Sequence, residues 1–211
     1  MQLLFEHFSS SAGLSDLCLE IVTTPCTVLF DPRQTVSTAI LSALAGLDEV
    51  LSGSLSIDGI KHEEYFNSQN LLSVFACVFD EGTMLANLSI RENLLLPWHK
   101  RFEGRLEKDF DRELQGWMEL MQLKLDTNSR PAFISPAQRK FVGFIRGFML
   151  KPQLLLINDP YYIFSKSERQ RIMAFLGNAG KAQPMLIAST DDDIGDLLAA
   201  QVIDLSSLSP A

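Results

Sequence analysis

Positive charge is in short supply in this chain. Its 211 residues carry 18 Lys and Arg against 26 Asp and Glu, a formal net charge of −8. Nonspecific nucleic-acid binding needs clustered cations to neutralise phosphates, so no nucleic-acid partner is expected. Cysteine is scarce too. Cys18, Cys26 and Cys77 show no metal-ligand spacing and are expected to be reduced core residues of a cytosolic protein. The three histidines, His7, His62 and His99, stand far apart and in no motif, which predicts surface or packing roles. The opening MQLLFEHFSS lacks a basic segment followed by a long apolar run, so no signal peptide is expected. No stretch approaches the ~18 uninterrupted apolar residues of a spanning helix. Internal repeats and low-complexity tracts are also missing.

What the chain does have is 46% hydrophobic residues, enough at this length for a sizeable core in one large domain or two small ones. LLFEHFS and LCLEIV alternate apolar and polar positions, as half-buried strands do. CTVLF and SVFACVF are continuous apolar runs suited to buried strands. STAILSALAGL predicts a helix ending at Gly46, and GSLSIDG a strand closed by an Asp-Gly turn. The middle reads as helical. NLSIRENLLL has a polar start and apolar spacing of three and four. Residues 105–124 place Leu106, Phe110, Leu114, Trp117, Met118 and Met121 on one helical face. After the loop DTNSRPAF, the stretch SPAQRKFVGFIRGFML opens with a Ser cap and a Pro in the first turn. The last third alternates: strand PQLLLIN, helix SERQRIMAFLGNA, strand PMLIAS, a short helix near DIGDLLAA, and strand QVIDL. Such alternation implies a mostly parallel sheet. The tail SSLSPA is expected to fray.

One stretch carries chemistry. VLFDPRQTVSTAILSALAGL sets an apolar strand, a tight turn and an Ala- and Leu-rich helix in the order of a phosphate-binding loop, G-x-x-x-x-G-K-[ST]. Its glycines and lysine are missing. Four further segments follow in register: SGSLSIDG, VFDEGTMLANLSIRENLLLPW, ISPAQRKFVGFIRGFMLKPQLLLINDP and LIASTDDDIGDLLAAQVIDL. Together the five resemble, over nearly the whole chain, the ATP-binding cassette (ABC) ATPase family, the nucleotide-binding subunits of membrane transporters. The fourth segment is similar to the family's LSGGQ signature and the run into its L-L-L-L-D-E-P. The resemblance implies an α/β fold with a P-loop NTPase-like (RecA-like) parallel-sheet core, an N-terminal antiparallel β subdomain and an inserted helical subdomain. The core is expected over residues 1–80 and 146–211, and the helical insertion over 81–145. Function lives in sites rather than folds, so activity must be read residue by residue.

In the gapless frame the family's phosphate-binding lysine falls on Ser37, and its metal-binding hydroxyl on Thr38, where a role towards metal could survive. The loop glycines fall on Asp31, Gln34 and Val36. Glycine lets backbone N–H groups curl around phosphate; β-branched Val36 resists that shape, and Asp31 brings a carboxylate into the phosphates' neighbourhood. The adenine-stacking aromatic falls near Ala12, the magnesium-sensing glutamine on Asp80, and the metal-holding aspartate on Asn158. The general base becomes Asp159, one methylene shorter, and the switch histidine becomes Asp191. The signature keeps Ser135 and Gln138, while its glycines become Pro136, which has no N–H to donate, and Ala137. Against the family pattern the pocket is more negative by about two units, where a polyanion would sit. A charge-assisted hydrogen bond contributes about 1.5–3 kcal/mol. Losing roughly three removes ~4–9 kcal/mol, against a micromolar affinity of about 8.

These positions predict no intact catalytic group, no bound metal and no cofactor; ATP and Mg2+ belong here only if that reading fails. The bland alternatives are that Ser37 and Thr38 cap a helix that binds nothing and that Asp159 is a strand-end turn residue. Asp191, Asp192 and Asp193 read as a solvated helix start. Tyr161, Tyr162 and Phe164 read either as a sticky contact surface or as buried side chains. The resemblance implies a peripheral protein on the cytoplasmic face of the inner membrane. It would dock on a membrane permease subunit through the cleft around residues 80–100 and pair with an intact ABC ATPase partner or a second copy. The competing readings are an active ATPase whose site a partner completes, and a scaffold binding module outside any transporter.

Overall fold

The computed structural model describes every residue except 69, 70, 80, 81, 180 and 209–211, with the side chains of 68 and 71 also outside the description. A hairpin opens the chain, β1 (Gln2–Ser10) against β2 (Leu17–Val22). The buried strand β3 (Cys26–Phe30) then leads through a tight turn into helix α1 (Val36–Leu44). β4 (Val50–Ile57) and the short β5 (Ile60–Lys61) return antiparallel, giving a four-stranded sheet of order β2-β1-β4-β5. Two short helices follow, α2 (His62–Ser68) and α3 (Leu71–Val74), then β6 (Phe75–Val78). The next stretch is helical: α4 (Ile90–Arg101), α5 (Glu107–Leu120), a 3-10 turn at Pro131–Phe133 and α6 (Pro136–Met149). The last third alternates as its pattern predicts: β7 (Leu154–Asn158), α7 (Lys166–Ala179), β8 (Met185–Ser189), α8 (Ile194–Leu198) and β9 (Gln201–Asp204). Among the described residues no helix is long and apolar enough to cross a membrane.

The second sheet is five-stranded and parallel, in the order β6-β7-β8-β3-β9. Its central strands are buried except at Phe30, which is half-buried, and accordingly CTVLF, LLLIN and MLIAS are predominantly apolar. Side chains alternate between the two faces of a strand, and each face here has its own core. Leu155 and Ile157 join Val28, Phe144 and Ile172 on the helical side. Leu154 and Leu156 join Leu29, Ile40 and Phe5 on the side of α1 and the antiparallel sheet. Helix α6 lies close against β7, and Gly147 makes room for this: a Cβ there would stand 2.7 Å from Leu155 Cδ1.

Four expectations need correcting. Leu106 is not part of the α5 core face; it stands at the N-cap and is 56% exposed, while Phe110 and Leu114 are buried. SVFACVF shortens to a four-residue strand, because Ser73 and Val74 close the turn of α3. Cys18 is exposed; of the three thiols only Cys26 is fully buried. The start of the tail is tied down, since the Arg33 guanidinium donates to the carbonyls of Ser206 and Leu208. Residues 209–211 of the tail lie outside the described residues.

Candidate functional site

Parallel strands carry their ligand sites beyond their carboxyl ends, and the strand order decides which ends meet. Here β8 lies between β7 and β3, with Asn158 in register with Ala188 and Phe30 with Ser189. The ends of β3, β7 and β8 therefore bring Asp31, Ser37, Thr38, Asn158, Asp159 and Ser189 to one edge. Asp31 N–H donates to the Ser189 carbonyl (2.9 Å), and Asp159 N–H to the Ala188 carbonyl (3.0 Å), so the turns after these strands are laced together.

The turn after β3 curls around a side chain of its own. Asp31 is fully buried. Its Oδ1 accepts from the Arg33 N–H (3.1 Å) and its Oδ2 from the Ser37 N–H (3.0 Å). The Asp31 carboxylate thus already holds one amide of the turn and one in the first turn of α1, where the helix dipole also favours negative charge. Gln34 takes the left-handed conformation (φ +56°), at a position where the family has glycine. Capping differs from expectation: the N-cap of α1 is Thr35, which makes no side-chain cap bond. Asp31 accepts the first-turn amide in place of Ser37 or Thr38.

Ser37 at the lysine position is fully buried, and its hydroxyl has no hydrogen-bond partner. Thr38 Oγ1 donates to Asn158 Oδ1 (3.0 Å), so the two residues at the family's metal-holding positions bond to each other. Asn158 is 2% exposed and carries no charge to offer a cation. Asp159 closes a turn, its Oδ1 accepting from the N–H groups of Tyr161 and Tyr162 at 3.0 Å each. Asp191 begins the turn into α8, its Oδ1 accepting from the Asp193 N–H (3.1 Å). Tyr161 and Phe164 are buried and Tyr162 is 45% exposed, so this aromatic run is mainly packing. Burial and the nearby Asp191 push the Tyr161 hydroxyl up to about 12.

Of the remaining predicted positions, those among the described residues stand apart from this edge. Ala12 is exposed in the turn between β1 and β2. Ser135 and Gln138 are absorbed in a reciprocal capping box: Gln138 N–H donates to Ser135 Oγ (3.1 Å) and Ser135 N–H to Gln138 Oε1 (2.9 Å). Pro136 and Ala137 form the first turn of α6 behind that cap. Asp80 lies outside the described residues.

One residue at this edge escaped sequence reasoning. Lys140 is fully buried, and its ammonium donates to the carbonyls of Asn158 (2.9 Å) and Asp159 (2.8 Å). A cation from α6 thus sits beneath the end of β7. The signal was there: Lys140 is a lone charge on the helical stripe of Phe141, Phe144 and Phe148, all of them core residues.

Comparison with known proteins gives the setting. A family model described as ABC transporter matches residues 37–162. The match begins at Ser37, so residues 31–36 fall outside it. The probable ribonucleotide transport ATP-binding protein mkl of Mycobacterium leprae (strain TN) is 26% identical over 159 residues, which cover 74% of this chain and 46% of that protein. The molybdenum import ATP-binding protein ModC of Rhodobacter capsulatus is 28% identical over 171 residues, covering 78% and 45%. The chain spans about half the length of the curated relatives it matches. A bacterial ABC transporter cassette solved as a dimer superposes with a TM-score of 0.82 at 17% identity, over 98% of this chain and 94% of that one. At that identity the likeness shows the fold alone.

Proposed function

This chain belongs to the ABC transporter family, and from that premise we propose that it is a non-catalytic homologue of the ATP-binding subunit, a structural or regulatory member of a membrane transport complex. The observation that carries the proposal is the Asp31 carboxylate. It accepts the Arg33 and Ser37 amides inside the turn that would otherwise wrap a phosphate. A triphosphate entering there meets a buried negative charge, finds no lysine, and must break two charge-assisted hydrogen bonds of about 1.5–3 kcal/mol each. Magnesium fares no better. The hydroxyl at Thr38 is kept but is bonded to Asn158, the neutral amide that stands where the family has a metal-holding aspartate. The residues present do not fit Mg-ATP. A working partner ATPase could still present its own loop to Ser135 of this chain, but here Ser135 Oγ serves α6 as a cap.

Docking on a permease rests on a second feature. A cleft of about 470 Å3 opens between α4 and the core, lined by Leu72, Met84, Leu85, Leu96, Pro97 and Arg146. Leu85 and Leu96 at its mouth are 57% and 53% exposed. We assign this apolar cleft to the membrane subunit, with the chain peripheral on the cytoplasmic face of the membrane. The matched relatives carry different cargoes in their names, so none is transferred to this chain.

Isothermal titration of the purified chain with Mg-ATP tests the core of the reading. It is expected to give no binding heat, and Ser37→Lys alone is not expected to restore any. A low-micromolar dissociation constant for the unmodified chain would refute it. Hydrolysis by the isolated chain that Asp159→Ala abolishes would instead favour an active ATPase.

A further inference from the structure

Away from the strand ends, the exposed face of the first hairpin gathers three side chains whose chemistry the strand-end site does not use. β1 carries an irregularity between Phe5 and Phe8, where its pairing with β2 shifts register. Both phenylalanines point inward at 1% exposure, ring against ring at 5.4 Å. Glu6 and His7 are therefore left together on the outer side. His7 takes the left-handed conformation (φ +48°), and the neighbouring strand accommodates it through Gly53 (φ +76°). A Cβ on Gly53 would stand 2.2 Å from the His7 carbonyl oxygen. On β2, Cys18 lies beside the bulge, and Asp16, itself left-handed (φ +51°), swings in from the turn.

His7 Nδ1 stands 2.7 Å from Asp16 Oδ1 and 3.6 Å from Cys18 Sγ. One oxygen, one nitrogen and one sulfur thus lie within 4.8 Å of one another. A single ring nitrogen faces both other groups. As a proton carrier it can serve one of them; as a metal ligand it shares a centre with both. Bond lengths of about 2.0–2.3 Å in a tetrahedral zinc site put neighbouring ligand atoms ~3.3–3.6 Å apart. The sulfur–nitrogen pair is already at that spacing, and the nitrogen–oxygen pair need open by only about 0.6 Å, within the reach of two exposed side chains.

We propose that His7, Asp16 and Cys18 form a surface site for a borderline divalent cation of the zinc type, clamping edge strand β2 to β1 and leaving the fourth tetrahedral corner to water. The donor set of thiolate, imidazole and carboxylate matches that class of ion and not magnesium or calcium, which take oxygen. Glu6 and Glu20 flank the cluster and add negative charge on the same face. The other two thiols do not compete, because burial pushes Cys26 up to about 11 and Cys77 up to about 12.

Cobalt titration of the reduced full-length chain tests this. We expect one equivalent to bind with visible tetrahedral d–d bands and a near-ultraviolet thiolate-to-cobalt band, both displaced by zinc. Cys18→Ser is expected to abolish the thiolate band. His7→Asn and Asp16→Asn, which keep residues tolerant of positive φ, are expected to weaken binding by more than about tenfold. All three side chains are exposed, and circular dichroism checks that each variant keeps its fold. Zinc is also expected to protect Cys18 from iodoacetamide in the unmodified chain but not in His7→Asn. Absence of the thiolate band, its survival in Cys18→Ser, or unaltered affinity in His7→Asn would each overturn the proposal.

Discussion

At the residue scale, two buried or half-buried bases give the clearest tests. Lys140 crosses from α6 to bind two carbonyls at the end of β7. Replacing it by Met removes the buried donor that holds both carbonyls. Lys140→Met is expected to cost about 2–4 kcal/mol, measured as a lowered denaturation midpoint with an unchanged slope. His62 is governed by pH. Burial holds its imidazole below its ordinary value, against the opposing pull of the Leu44 carbonyl and Glu63. Folding therefore favours the neutral ring. Its contribution is present above the unfolded value of about 6.5 and is lost as pH falls through the lower folded value. Thermal melts are expected to show stability declining below pH ~6.5, with a shallower decline in His62→Gln, which keeps a donor for the Leu44 carbonyl.

At the scale of elements, much of the architecture was legible and the reasons are physical. Strands buried on both faces are mostly apolar, so CTVLF, LLLIN and MLIAS declared themselves despite one buried polar residue each, as did the Ser-Pro opening of α6. The cap at Ser135 is expected to be worth about 1 kcal/mol: Ser135→Ala should lower the melting temperature by a few degrees with no other phenotype in the isolated chain. Alignment with the family placed Ser37, Thr38 and Asn158 close together, and the geometry brings them to one edge. What the sequence hid was direction. Nothing in DPRQT says that Asp31 turns inward to its own amides, because that depends on the path of the turn. Lys140 stood out only as a charge on the apolar stripe of a helix, and its carbonyl partners at the end of β7 were not legible. His7 and Cys18 are eleven residues apart, and only the bulge in β1 puts both on the outer face.

At the scale of the whole molecule, the strand-end edge with Asp31 and the apolar cleft beside α4 lie on different parts of the fold. The two features act in different places, so they are separable by mutation. Leu96→Arg places a charge at the mouth of the cleft, on a side chain that is 53% exposed and contributes little to the core. It is expected to abolish copurification with a membrane permease while leaving the melting temperature within about 1–2 °C. Retention of the permease by Leu96→Arg would move the docking surface elsewhere.

The Asp31 carboxylate has a consequence for how such a molecule keeps time. The anion is tethered two residues from one of the amides it serves and six from the other, so it binds them intramolecularly, ahead of a free anion in solution. Sulfate or phosphate at buffer concentrations should not dislodge it. On the proposed reading, the level of ATP would not register at this turn. If the chain is the non-catalytic subunit proposed above, it has no clock of its own, and any rhythm in its assembly would be set by a neighbour that exchanges its ligand.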